Sequence, residues 1–120
     1  MANPNIVNVT DIRGKTFVGT ISNGSYATLV SNTAGSNSVV KVNTISISNG
    51  TGGTIAADVA IYRTSLANYY EIANSVSVPN NSTLVVTSKD TSFYLEEEDI
   101  LAAQANGANL EIMVSYEIIK

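Results

Sequence analysis

Four acidic residues in a row, Glu96-Glu97-Glu98-Asp99, are the densest group of chemically able side chains in this sequence. A glycosidase needs two carboxyls facing each other across a cleft from separate elements, and neighbours on one turn do not provide that. Calcium takes several carboxylate and carbonyl oxygens, but this run has no Asp-x-Asp spacing and no glycine to fold it round an ion. The expectation is a solvated acidic turn, with calcium as the lesser alternative. Ser88-Lys89 is the one adjacent Ser-Lys pair, and neighbours along a strand point to opposite faces. A Ser-based triad needs a base, usually histidine, and the chain has no His. Without His or Cys, zinc and transition-metal sites, disulfides and thiol chemistry fall away. Gly50, Gly52 and Gly53 lack the following Lys-Ser/Thr and the helix of a phosphate loop, and read as a turn. Tyr62, Tyr69 and Tyr70 fall near one connection. They serve either as interface or sugar-binding anchors or as packing at the edge of the core. No catalytic residue, metal ligand or cofactor is expected, and the chain does not read as an enzyme.

The elements that carry these residues have a period of two. Thr16 to Ile21 and Tyr26 to Val30 flank Asn23-Gly24, a strong hairpin signal. Ser31 to Ser38 is a polar loop. Val39 to Ser48 is the clearest strand. Val40 and Val42 alternate with Lys41 and Asn43, and Ile45 and Ile47 with Ser46 and Ser48, so the parity slips near Asn43-Thr44, as at a bulge or change of sheet. Asn49 to Gly53 is a turn. Ala57 to Arg63 follows as a strand, with Val59 and Ile61 inward and Asp58, Ala60 and Tyr62 on the other face. Tyr70 to Val78 ends at the Pro79-Asn80-Asn81 turn. Ser82 to Ser88 has the apolar centre Leu84-Val85-Val86 of a buried strand. Phe93 to Leu95 is short, Ile100 to Ala105 is a strand or one helical turn, and Asn106-Gly107 is a further hairpin signal. Leu110, Ile112, Val114 and Tyr116 alternate with polar neighbours in a last strand. About eight short strands at this spacing predict a single-domain antiparallel β-sandwich, immunoglobulin-like or jelly-roll-like. Val40, Val42, Ile45, Ile47, Val59, Ile61, Leu84, Val86, Leu110, Ile112 and Val114 are its expected core.

Residues 14–120 make this domain. Residues 1–13, with Ile6, Val7, Val9 and Ile12 among asparagines, form either an N-terminal arm that joins a neighbour's sheet edge or a first strand of the same sandwich. Those four residues, with Tyr62, Tyr69 and Tyr70, are the candidate protein interface.

The 120 residues are 44% hydrophobic and only 13% charged, about half the usual charged share. Ser, Thr and Asn fill the polar positions. Uncharged polar faces suit surfaces that become covered, because burying a charge costs far more than burying a partnered hydroxyl. They equally suit a plain β surface. A net charge of −4 speaks against binding a phosphate backbone. No apolar run is long enough to span a membrane, and Met1 to Asn5 lacks signal-peptide character. The expected place of synthesis is a cytoplasm, and the five Asn-x-Ser/Thr sequons reflect composition.

Several stretches together resemble small virion structural proteins of tailed bacteriophages, especially of marine cyanobacterial phages. They are Ser38 to Asn49, Ala56 to Tyr62, Ile72 to Pro79, Ser82 to Val86 with Lys89-Asp90-Thr91, Tyr94 to Glu97, and Ala105 to Glu117. Where the pattern has a Gly in the acidic turn, this chain has Glu98. The resemblance implies a capsid decoration or a neck- or tail-associated piece, present in many copies or as a homo-oligomer and bound to other phage structural proteins. It implies location in the virion after synthesis in the host cytoplasm. A carbohydrate-binding module on the virion surface is the alternative.

Overall fold

The structure, a computed structural model, describes residues 8–22 and 24–120. Nine strands occur in it: β1 (Ile12–Ile21), β2 (Ala27–Ser31), β3 (Val39–Asn49), β4 (Ile55–Arg63), β5 (Asn68–Val78), β6 (Ser82–Thr87), β7 (Phe93–Leu95), β8 (Asp99–Asn106) and β9 (Leu110–Ile119). They form two antiparallel sheets packed as a sandwich. Sheet A runs β1-β9-β3-β6, with β7 also paired to β3; sheet B runs β2-β8-β4-β5. The pairs are nested: β4 with β5, β3 with β6 and β7, β2 with β8, β1 with β9. The chain is therefore one long antiparallel ribbon rolled up from its β4–β5 tip, which is jelly-roll topology. Strands β6 and β7 share one side of β3, separated by the 3-10 turn Lys89–Thr91, so nine strands occupy eight places.

This wrapping changes what the turn signals mean. Asn49-Gly50 and Asn106-Gly107 each carry the chain from one sheet to the other, as does the Gly24 region. The Asn-Gly dipeptides expected to close hairpins are arches between layers instead. A tight turn supplies positive φ wherever the chain must reverse, as at Gly24 (φ 100°) and Gly107 (φ 129°). It does not decide whether the next strand pairs beside its predecessor or opposite it. The direct hairpin within a sheet is β4–β5, whose loop contains a 3-10 turn at Thr64–Leu66.

The inward residues Val42, Ile45, Ile47, Val59, Leu110, Ile112 and Val114 are buried with Ile21, Val78, Leu95 and Leu101. The parity slip resolves as a bulge at Asn43: Val42 pairs with Tyr116 and Thr44 with Ser115. Segment 99–106 is strand, not a helical turn. Ile61, Leu84 and Val86 are only partly buried against this core. The Leu84-Val85-Val86 centre does not make a strand buried on both faces, and Val85 points out. Every strand of a two-layer sandwich has one covered face and one outer face, whatever its composition.

Strand β1 is mostly exposed until its last residues. Its neighbour in the opposite layer, β2, has 5 residues against 10 in β1, too few to cover its whole length. Backbone bonds continue its pairing outward: Thr10 and Asp11 N–H donate to Lys120 O (2.7 and 3.1 Å) and Lys120 N–H to Asp11 O (2.9 Å). Gly19 leaves room for the Phe17 ring, which would stand 2.9 Å from a β-carbon there.

Candidate functional site

The acidic run follows β7 where the chain crosses to sheet B. The expectation of a solvated turn fails for two of its four residues: Asp99 is 1% and Glu97 5% exposed. Arg63, at the end of β4, sits opposite Asp99 in the β4–β8 ladder. Its Nε and Nη2 donate to Asp99 Oδ1 and Oδ2 at 3.1 and 2.8 Å, a two-point pairing that fits the planar guanidinium. Asp99 Oδ2 also accepts from Glu96 N–H at 2.9 Å, and Arg63 Nη2 lies 3.2 Å from Glu96 Oε2. The hydrogen bond to Asp99 raises the Arg63 pKa above its ordinary value. Glu97 turns the other way and accepts Gly35 N–H (2.8 Å) and Asn37 N–H (3.1 Å) from the β2–β3 loop. Asn32 completes the clasp. Its Nδ2 donates to Ser38 O and Leu95 O, and its Oδ1 accepts from Ser36 Oγ. The carboxylates can be buried because loop amides and one guanidinium donate to them in place of water.

The opposite end is held by a second buried asparagine. Asn49 Nδ2 donates to Gly53 O and Val78 O, both at 2.7 Å, and Oδ1 accepts from Thr51 N–H and Oγ1. Its amide thus uses two donors and two acceptances, its full capacity. Among the described residues no cluster of His, Cys, Asp or Glu is arranged to hold a metal ion, and no helix is long and apolar enough to cross a membrane.

Tyrosines shape the outer face of sheet B. Tyr69 lies opposite Tyr62 across β4–β5, with ring centroids 4.8 Å apart. Tyr26, just before β2, stacks on Tyr69 at 4.4 Å with planes 15° apart. Strands β8 and β4 lie between β2 and β5, a span of roughly 14 Å. The stacked pair therefore bridges over those strands, where the outward Ala60 and Ala102 are buried. Small residues below and large rings above let an outward sheet face be covered by its own chain. Burial pushes the Tyr26 phenol above its ordinary 10.0, and the nearby Glu71 and Asp58 carboxylates add to the shift. Asp58 accepts from Gln104 Nε2 (2.9 Å) and from the Ser75 N–H.

The outer face of sheet A differs. One row crosses all four strand positions: Val18 opposite Met113, Met113 opposite Ser46, Ser46 opposite Val85. Val18 is 64%, Met113 51% and Val85 61% exposed. Neighbouring rows carry Thr16, Ser115 and Thr44 on one side and Thr20, Glu111, Ser48 and Thr83 on the other. At one end of this sheet a hollow is lined by Lys15, Lys41, Asn43, Lys89 and Glu117, among others. There Asn43 Nδ2 donates to Glu117 Oε1 at 3.3 Å.

Among the interface candidates, Tyr62 and Tyr69 come together. Tyr70 lies on the other side of β5, beside Ile61, Arg63 and Leu66. Ile12 is exposed at the start of β1 and Val9 is half-buried just before it. Ile6 and Val7 lie outside the described residues. Tyr26 is missing from the candidates. It is 43 positions from Tyr69, and nothing local in the sequence signals a contact that only the strand order creates.

The fold and its faces define a jelly-roll sandwich with one weakly charged, partly apolar outer face. Comparison with known protein families and with curated proteins finds no match to this chain.

Proposed function

We propose that this protein is a structural component of a bacteriophage virion, not an enzyme, and that it works by packing against other virion proteins as a capsid decoration or a neck- or tail-associated piece. The observation that carries the reading is the exposed row Val18, Met113 and Val85 across sheet A, set among Thr and Ser side chains. Apolar side chains aligned on one flat face, with few charges to desolvate, suit a covered surface. Two features support it. From Thr16 to Ile21, β1, an edge strand among the described residues, carries no charged residue, and charge is a usual guard against strand addition. The carboxylates Glu97 and Asp99 are engaged in holding loops and are not presented to a ligand. The resemblance to phage virion proteins in the strand and turn pattern points the same way, and jelly rolls are a recurrent capsid architecture. A carbohydrate-binding role fits less well, because Tyr26 and Tyr69 present ring faces to each other.

The test is mass spectrometry of gradient-purified particles from the phage encoding the chain. A fixed stoichiometric ratio to the major capsid or tail protein supports the proposal. Recovery only in the non-particulate lysate overturns it.

A further inference from the structure

Charge is divided unequally between the two layers. Sheet A with its adjoining ends and turn holds five of the six basic residues, Arg13, Lys15, Lys41, Lys89 and Lys120, against four acidic ones, Asp11, Asp90, Glu111 and Glu117. Sheet B and its crossing from β7 hold one basic residue, Arg63, against six acidic ones, Asp58, Glu71, Glu96, Glu97, Glu98 and Asp99. The sheet B side is therefore formally −5 and the sheet A side +1, which together make the net −4 of the chain.

The outer faces match in more than sign. Sheet A presents the apolar row Val18–Met113–Val85, with Glu111 in the row beside it, and at its end the hollow where Lys15, Lys41 and Lys89 outnumber Glu117. Sheet B presents the tyrosine platform, with Tyr69 exposed and the exposed Glu71 beside it. An apolar row against aromatic rings, rimmed by opposite charges, is the usual anatomy of a protein interface. Two sheet B faces would repel. Two sheet A faces would leave the acidic platform unused.

We infer that copies of this chain stack front to back, the tyrosine-and-glutamate face of sheet B in one copy covering the apolar row and lysine hollow of sheet A in the next. This rests on the assembly reading above and names the partner and the surfaces. Such a contact is heterologous, so it propagates into a ring or a filament and does not stop at a two-fold dimer.

The test uses sedimentation velocity of the full chain, with circular dichroism melting to show that each variant is folded. Wild type associates at about 0.05 M salt and roughly tenfold more weakly at about 0.5 M salt. Glu71→Lys alone and the double change Lys41→Glu with Lys89→Glu alone are each monomeric. Mixed in equal amounts they associate again, because an intact sheet A face meets an intact sheet B face and the two reversed faces also carry opposite charges. Glu71→Gln, which keeps the shape of the side chain, weakens association less than Glu71→Lys. Three results each overturn the inference: wild type monomeric at about 1 mM in low salt, Glu71→Lys associating like wild type, or a mixture that stays monomeric. A wild type that is monomeric in solution yet stoichiometric in particles removes the front-to-back contact and leaves the virion role standing.

Discussion

Replacing Glu98 by glycine should stabilise the protein. Glu98 stands at φ 71°, in the left-handed region, where a side chain costs about 1–2 kcal/mol. The chain accepts this because both backbone groups of Glu98 are held. Its N–H donates to Asn32 O at 2.6 Å and its carbonyl accepts from Thr64 Oγ1 at 2.7 Å. A glycine keeps both bonds and removes the penalty, while making the unfolded chain more flexible at a cost of about 0.5–1 kcal/mol. The Glu98 side chain is exposed, so little packing is lost. The net expectation is a gain of about 0.5–1 kcal/mol, or about 2–6 °C in melting temperature for a domain of this size. Urea and thermal unfolding followed by circular dichroism measure it. Glu98→Ala is the control: it removes the same charge but keeps the β-carbon, so its change should stay within about 0.5 kcal/mol. A lower midpoint for Glu98→Gly refutes the reasoning. So does an equal gain for Glu98→Ala, which would assign the effect to charge and not to the backbone.

Asp99→Asn should cost about 2–4 kcal/mol, because it removes the charge of a buried carboxylate paired with Arg63; a urea midpoint unchanged from wild type would show the clasp to be idle. Ile45→Ala, at a fully buried position, should cost about 3–5 kcal/mol, and Ile61→Ala, which is only half-buried, about 1–2 kcal/mol; equal losses in denaturant titration would contradict the open flank beside Tyr70. The Tyr26 phenol is shifted upward in the folded state, so folding holds its proton where the unfolded chain releases it. That contribution is complete below the unfolded value near 10 and is lost as pH rises through the folded value. Wild type should therefore lose more stability than Tyr26→Phe between about pH 9 and pH 11, and parallel losses would count against the burial of the Tyr26 phenol near Glu71 and Asp58.

The alternation of side chains along each strand determined the fold class and most of the core, because a period of two leaves few choices for which face turns inward. It also located the Asn43 bulge, since a slip in parity is visible wherever Val42 and Ile45 must both face the core. Local chemistry marked the turns but not their partners. Asn-Gly reverses a chain equally well into a hairpin or an arch, so only the rolled ribbon revealed that Asn49-Gly50 and Asn106-Gly107 join the two sheets. Leu84-Val85-Val86 looked doubly buried because composition does not say that the sandwich leaves one face of β6 outside. Tertiary structure also decided the fate of the acidic run. Four carboxylates in sequence are best solvated in isolation, yet the loop amides of Gly35 and Asn37 and the guanidinium of Arg63 arrive from elements 36 to 62 positions away and supply what water would have. Tyr26 and Tyr69, 43 positions apart, meet in the same way, and the unequal charge of the two layers exists only once the strands are dealt between them. Solvation, pairing and charge complementarity are properties of neighbours in space, and the strand order is what chooses them.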